Sequence, residues 1–283
     1  GWVSCARGGF LHTTDAGSNW IYVNPFPSDT VVCFSDPAIN MTWVGTTHGC
    51  SIGTIGSFAN PQGAVIYCTT NGGTNWDKII LSSEPGVMGI QVQFADVNNG
   101  WALTYNFSSG QGSFLRTTDS GNNWTPQNGI GIFYFVDASN GWAYTGSGQN
   151  AGDPPYSIHK TTNGGVSWSE QFSDNTAGRY NAIRFADLNN GWVVGENGKV
   201  LKTTNGGANW NLVTNTGVNP DETCKTVFSL DANNVWIPSK ANDSQQTPFV
   251  QYSSDGGASW SQQITPLGTT QGSNAIFSIC LVN

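Results

Sequence analysis

The sequence predicts an all-β chain, a six-bladed β-propeller of four-stranded antiparallel blades, and two series of tryptophans predict it. A turn of the form Asp/Asn-x-Gly-x-x-Trp recurs six times: Asp15 to Trp20, Asn71 to Trp76, Asp119 to Trp124, Asn163 to Trp168, Asn205 to Trp210 and Asp255 to Trp260. Its tryptophans lie 42 to 56 residues apart, the period at which propeller blades repeat. Ahead of these turns, by 18 to 33 residues, stand Trp2, Trp43, Trp101, Trp142, Trp192 and Trp236, and the two series use all twelve tryptophans. None is left over as a spare binding residue.

Short β-branched and aromatic runs precede the second series and read as first strands: Val31 to Phe34, Ile90 to Phe94, Ile132 to Phe135, Ala182 to Phe185, Thr226 to Phe228 and Ala275 to Phe277. The clearest unit is 182–213. Strand A (Ala182 to Ala186) turns through Asp187 to Gly191 into strand B (Trp192 to Val194), Glu196 to Gly198 turns into strand C (Lys199 to Thr203), and strand D starts at Trp210. Asn-Gly and Gly-Gly pairs accept positive φ, and Asp or Asn side chains accept hydrogen bonds from the turn's own amides.

The chain opens at a strand B (Gly1-Trp2) and ends just past a strand A (Phe277). The expected arrangement is therefore one propeller over 1–283, with a closing blade from 275–283 plus 1–23 and other blades at about 31–80, 90–127, 132–172, 182–214 and 225–264. Seven blades are expected instead if the chain is a fragment.

Charged residues are 10% and Gly numbers 36, a turn-rich all-β profile. A net charge of −8 argues against nucleic acid as a partner, because phosphate recognition needs a basic surface. No apolar run approaches the ~20 residues that span a bilayer. Six cysteines suit an oxidising compartment, and Cys50 with Cys68 is the one pairing the sequence suggests, as a clamp at the neck of an insertion, Ser51 to Tyr67. No CxxC or Cys-His cluster suggests a metal, and no cofactor is expected.

The six turns resemble the Asp-box, or BNR repeat. The run Asp187-Leu-Asn-Asn-Gly-Trp-Val-Val-Gly-Glu-Asn-Gly-Lys-Val-Leu-Lys-Thr-Thr-Asn-Gly-Gly-Ala-Asn-Trp210 is similar to the photosystem II assembly factor-like (Ycf48-like) propellers, and similar repeats occur in secreted proteins of Bacteroidota. The resemblance spans essentially the whole chain. It implies the propeller fold and a structural role for the boxes, which occur in sialidases, glucanases, sorting receptors and assembly factors alike.

Catalysis must therefore be sought elsewhere. A sialidase-like site needs three convergent arginines, and of Arg7, Arg116, Arg179 and Arg184 the last two belong to one blade while Arg116 precedes a box. Eight of the eighteen acids are assigned to turns: Asp36, Asp96, Asp137, Asp187 and Asp231 as caps of the A–B turn, and Asp15, Asp119 and Asp255 in the boxes. Adjacent Asp221 and Glu222 read as a solvated loop pair, and His12, His48 and His159 form no triad. Long B–C connections (Gly45 to Ala64, Tyr105 to Gly112, Gly146 to Tyr156, Ser239 to Pro248) share a face with the D–A connections.

Tyr105, Phe107, Tyr156, Arg179 and Tyr180 are the candidate contacts for a glycan or peptide on that face. The expectation is a non-catalytic interaction or scaffold propeller, secreted or on a bacterial cell surface, binding a protein or glycan. A sialidase-like glycosidase and a photosystem assembly factor are the alternatives.

Overall fold

The computed structural model describes residues 1–4, 9–26, 31–32, 40–128, 131–145, 156–176, 178–219, 221–240 and 249–264, which carry twenty-five strands in six antiparallel sheets. The chain divides into two compact units, Gly1–Gly129 and Ile130–Asn283. Three sheets belong to each. In the first unit, sheet one has strands Trp2–Ser4, Phe10–His12 and Ile21–Val23, and the segment 275–283 expected to complete it lies outside the described residues. Sheet two holds Val31–Val32, Met41–Val44, His48–Ser57, Asn60–Thr69 and Asp77–Ser82; sheet three holds Val87–Phe94, Gly100–Asn106, Gln111–Thr117 and Thr125–Gln127.

The second unit opens with sheet four: Ile132–Phe135, Gly141–Thr145, Tyr156–Thr161 and Ser169–Asp174. Sheet five follows with Tyr180–Phe185, Gly191–Gly195, Val200–Thr203 and Asn211–Leu212. Sheet six comprises Thr223–Cys224, Phe228–Ser229, Val235–Lys240, Phe249–Ser253 and Ser261–Ile264. In sheets three, four and five the strands pair strictly in chain order, as the 182–213 reading requires.

One cross-strand register repeats. Gly100 pairs with Thr117, Gly141 with Thr161, Gly191 with Thr203 and Val235 with Ser253, each partner being the hydroxyl residue that opens an Asp-box. Across from the same glycines, on the first strands, stand Phe94, Phe135 and Phe185. These rings lie over the glycine: a Cβ at Gly100 would meet three atoms of the Phe94 ring at 2.7 Å. In sheet six the residue opposite is Ser229, which has no ring, and Val235 replaces glycine.

Sheet two corrects two expectations. Trp43 does not begin a second strand; it lies within Met41–Val44 on the first-strand side, pairs with Gly49, and takes the place of the phenylalanines. The insertion is not a loop but the long hairpin His48–Ser57 and Asn60–Thr69. Cys50 and Cys68 are disulfide-bonded as expected, but as directly opposed ladder residues rather than a clamp on a loop neck. The stretch Tyr105 to Gly112 is likewise mostly strand, leaving a short turn at 107–110. Of the other long B–C connections, 146–155 and 241–248 lie outside the described residues.

Turn chemistry follows the residue types. Asp96 accepts the N–H groups of Asn98 and Asn99, both at 2.8 Å, and the Asn99 amide; Asp137, Asp187 and Asp231 repeat this, while Asp36 lies outside the described residues. In the box at Asn205, Thr203 Oγ1 accepts the N–H of Gly207 at 2.9 Å and donates to Asn205 Oδ1, which accepts the N–H of Asn209 at 2.9 Å. Thr13, Thr69, Thr117, Thr161 and Ser253 do the same in the other five.

The boxes fasten neighbouring sheets. Gly207 of sheet five sits against Trp142 of sheet four, where an added Cβ would come to 3.0 Å of Nε1; Gly257 meets Trp192 and Gly73 meets Trp2 in the same way. The tryptophan is braced on its own sheet by its cross-strand partner. Lys160 lies 5.0 Å from the Trp142 ring centroid and donates to Gly206 O of the next box at 3.0 Å, as does Trp142 Nε1, and Lys202 on Trp192 donates to Gly256 O.

Two outcomes follow from this geometry. Gly100→Ala should lower stability by about 1–3 kcal/mol through overpacking against Phe94, whereas Gly112→Ala, whose Cβ would have ordinary room at 3.4 Å, should change it by less than about 0.5 kcal/mol; urea unfolding of the two variants measures both. The backbone N–H and side-chain amide of Asn19, then Thr13, hold Asp15 at about 2, and the Ser259 hydroxyl and N–H hold Asp255 at about 2, against an ordinary 3.8. Such lowered carboxyls stabilise fully above the unfolded pKa and lose that contribution as pH falls through the folded one. Asp15→Asn with Asp255→Asn, imitating the Asn71, Asn163 and Asn205 boxes, should therefore flatten the loss of urea midpoint between about pH 4 and 2.

Candidate functional site

A pocket of about 620 Å³ opens between the fourth strand of sheet four and the last two strands of sheet five, a size within the usual range for ligand sites. Phe172, Leu201, Trp210, Leu212, Val213 and Val218 give it apolar walls; Thr176, Asn197, Thr214 and Thr216 supply neutral polar groups. Sequence position explains the arrangement. Sheet five's fourth strand is only Asn211–Leu212, so the chain leaves the sheet early and the segment 213–218 forms one wall.

At one end lie the two charged lining groups, Asp174 and Lys199, 2.7 Å apart and both largely buried. Every proton of Lys199 is placed: on Asp174 Oδ2, on Thr176 Oγ1 at 3.0 Å and on Gly178 O at 3.2 Å. The ammonium also lies 5.8 Å and 5.3 Å from the ring centroids of Tyr156 and Tyr180. Asp174 accepts in addition the N–H and hydroxyl of Thr176 and the Tyr180 hydroxyl. Burial pushes the Asp174 pKa up, but the Lys199 and Thr176 hydrogen bonds outweigh it and hold the carboxyl below its usual value. Burial, and then the Asp174 charge, push the Tyr180 phenol upward. This cluster is internally satisfied, so the pocket offers a ligand no free charge.

The sequence-level contact residues fall into two groups. Tyr105 and Phe107 form an edge-on pair at 4.8 Å, with Phe107 half exposed, in the first unit. Tyr156 and Tyr180 are 1% and 4% exposed, within the core cluster of sheets four and five; an open stacking surface is not what they provide, because their rings close the wall around Lys199. Arg179 is half-buried, its backbone N–H donating to Glu196 at 3.2 Å. The D–A segments expected on the loop face, Gln171 to Asn181 and Asn215 to Cys224, do border the pocket.

Other candidates resolve structurally. Glu222 is not half of a solvated pair: it is buried, and its two oxygens hold the N–H and side chain of Asn219. Burial lowers the pKa of His48 and His159, Glu170 opposing it at His159, which leaves both neutral near pH 7. Arg116 and Arg184 lie over Trp101 and Tyr134. No group of three metal-ligating side chains occurs among the described residues. Neither Asp174 nor Lys199 is singled out by the sequence; the signal that could have found the pair is a lysine directly after the Asn197-Gly198 turn, in a chain with ten cations.

The family described as photosynthesis system II assembly factor YCF48 matches residues 166–271. The chloroplastic photosystem II stability/assembly factor HCF136 of Arabidopsis thaliana is 24% identical over 71% of this chain, which spans 60% of that relative's length. Among solved structures, a YCF48 bound to D1 peptide aligns with a TM-score of 0.68 at 18% identity, covering 99% of this chain and 81% of that one. YCF48 from Cyanidioschyzon merolae aligns at 0.62 and 20% identity, covering 96% and 82%. A GH74 xyloglucanase from Xanthomonas campestris aligns at 0.54 and 11% identity, covering 91% and 44%. These likenesses show the fold, a β-propeller like that of the YCF48 structures, and no helix among the described residues is long and apolar enough to cross a membrane.

Lys199→Met should expose the cost of the buried pair. Asp174 would be left buried without its cation, at an expense of about 3–5 kcal/mol. Urea unfolding at pH 7 measures this, and the deficit should shrink once acid protonates Asp174 in the variant.

Proposed function

We propose that this Asp-box propeller of Ycf48-like type is a non-catalytic assembly protein that holds a neutral, apolar stretch of a partner protein in the pocket between sheets four and five. The observation that carries the reading is the coincidence of two stretches: every pocket-lining residue, from Phe172 to Val218, falls within the segment 166–271 that matches the YCF48 family. A YCF48 of the same fold is bound to a D1 peptide, which favours a protein partner over a glycan. The chemistry of the pocket agrees, since its charges are spent on one another and its walls are apolar.

Among the sequence-level readings, the relatives favour the assembly factor over a glycan-binding surface protein or a glycosidase. A non-catalytic role draws support from the acids. Asp174 and Glu222 are each locked by internal partners, and Asp96, Asp137, Asp187 and Asp231 are turn caps. The Cys50–Cys68 bridge supports an oxidising compartment.

Titration of the full chain with the blocked peptide acetyl-Thr-Leu-Thr-Phe-Thr-amide, followed by amide NMR shifts, tests the proposal. Shifts are expected at Leu201, Leu212 and Val213, and Leu212→Asp, at a position 60% exposed, should weaken binding at least ~10-fold while leaving stability unchanged. Binding unaffected by Leu212→Asp would remove the pocket from the proposal; turnover of xyloglucan oligosaccharides by the chain would remove its non-catalytic half.

A further inference from the structure

One residue past the position that faces the box hydroxyl, every sheet sets a second-strand side chain directly against one of the third strand. Trp2 is opposed by His12, stacked at 4.0 Å; Trp101 by Arg116; Trp142 by Lys160; Trp192 by Lys202; and Trp236 by Tyr252, stacked at 4.7 Å. In sheet two the register Gly49 with Thr69 places Cys50 and Cys68 at this position. The disulfide thus stands where five other sheets place a tryptophan and its brace. It also receives the next box: a Cβ at Gly121, in the box of sheet three, would come to 3.1 Å of Cys68 Sγ, as one at Gly207 would meet Trp142.

We infer that Cys50–Cys68 is a redox-sensitive fastening between sheets two and three, so that reduction loosens the 1–129 unit while the 130–283 unit is untouched. The five tryptophan pairs contain nothing that a thiol reductant attacks. The fold therefore possesses a redox-inert solution at this position, and sheet two uses another. Both cysteines are buried, at 0% and 4% exposure, in the core cluster that joins Ile52, Ile66, Val92 and Phe94.

Reduction by a dithiol proceeds by attack of one thiolate on a cystine sulfur, breaking the S–S bond to give a mixed disulfide, and the second thiol of the reductant then releases the cysteine. Two electrons and two protons pass to Cys50 and Cys68, and the reductant leaves as its own disulfide. Cys224 does not compete as a resolving thiol: it is buried, and burial, then the Glu222 charge, push its thiol up to about 12.

The experiment compares the full chain with and without excess dithiothreitol by hydrogen exchange resolved along the sequence. Reduction should raise the opening equilibrium of strands His48–Ser57 and Asn60–Thr69, and of the box at Thr117 to Trp124, about a hundredfold, the size expected for opening a loop of this length. Exchange in Tyr180–Phe185 and Gly191–Gly195 should not change. The nearly isosteric Cys50→Ser with Cys68→Ser should reproduce the reduced pattern and ignore dithiothreitol. Cys50→Trp with Cys68→Lys, which installs the sheet-four pair, should ignore it too. Exchange that rises equally in both units, or not at all once thiol titration shows the bridge reduced, overturns the inference whatever the fate of the tryptophan variant.

Discussion

The contact on which each unit depends is the seating of an Asp-box on the braced pair of the preceding sheet. A four-stranded sheet this short cannot bury both faces by itself, so its stability comes from the neighbour. Asp-box hydrogen bonds are local, linking Thr203 to Asn205 and Gly207 and Asn205 to Asn209, and so fix the turn without a long-range contact. That rigid turn then presents a glycine with φ of 89° at Gly207, where a side chain would both be strained and strike Trp142. Local chemistry shapes the key, and the tryptophan of the sheet before it is the lock.

The same logic explains residues that seem unrelated. A glycine stands in the second strand where an aromatic ring of the first lies opposite, as with Phe94 over Gly100 or Trp43 over Gly49, because the ring occupies the volume of its Cβ. Where Ser229 ends the first strand, Val235 is admitted. Lysines in the third strands reach a ring and a carbonyl of the next box at once, so Lys160 and Lys202 act as bridges between sheets rather than as surface charge. Each substitution at one site of this arrangement makes sense only with its partner.

The sheets were legible in the sequence because their signals are local. Asp187 with Asn190, and Thr203 with Asn205, are turn chemistry within a few residues, and these place the strands of 180–212 almost to the residue. Sheet two misled because tryptophan alone does not say which strand it occupies. Trp43 does the work of a phenylalanine, and Cys50 does the work of a tryptophan, which only the pairing of Gly49 with Thr69 reveals. The pocket was less legible still. Phe172 and Leu212 come from different strands and Lys199 from the connection between two others, with no spacing rule between them, and Tyr156 and Tyr180 look in sequence like surface aromatics although their rings pack around Lys199.

Charge economy bears on the recognition proposed for the pocket. Of ten lysines and arginines, Arg116, Lys160 and Lys202 lie on tryptophans, Arg184 on Tyr134, and Lys199 is enclosed by Asp174 and two tyrosines. Cations used in this way are held against their own scaffold and are poor material for an electropositive contact patch, which needs clustered, solvent-facing charge. With a net charge of −8, long-range attraction would favour basic partners, yet the one acid that lines the pocket, Asp174, is paired with Lys199. On the proposed reading, selection at the pocket would fall to apolar fit and to the neutral groups of Thr176, Asn197, Thr214 and Thr216, terms that vary little with salt and discriminate by shape.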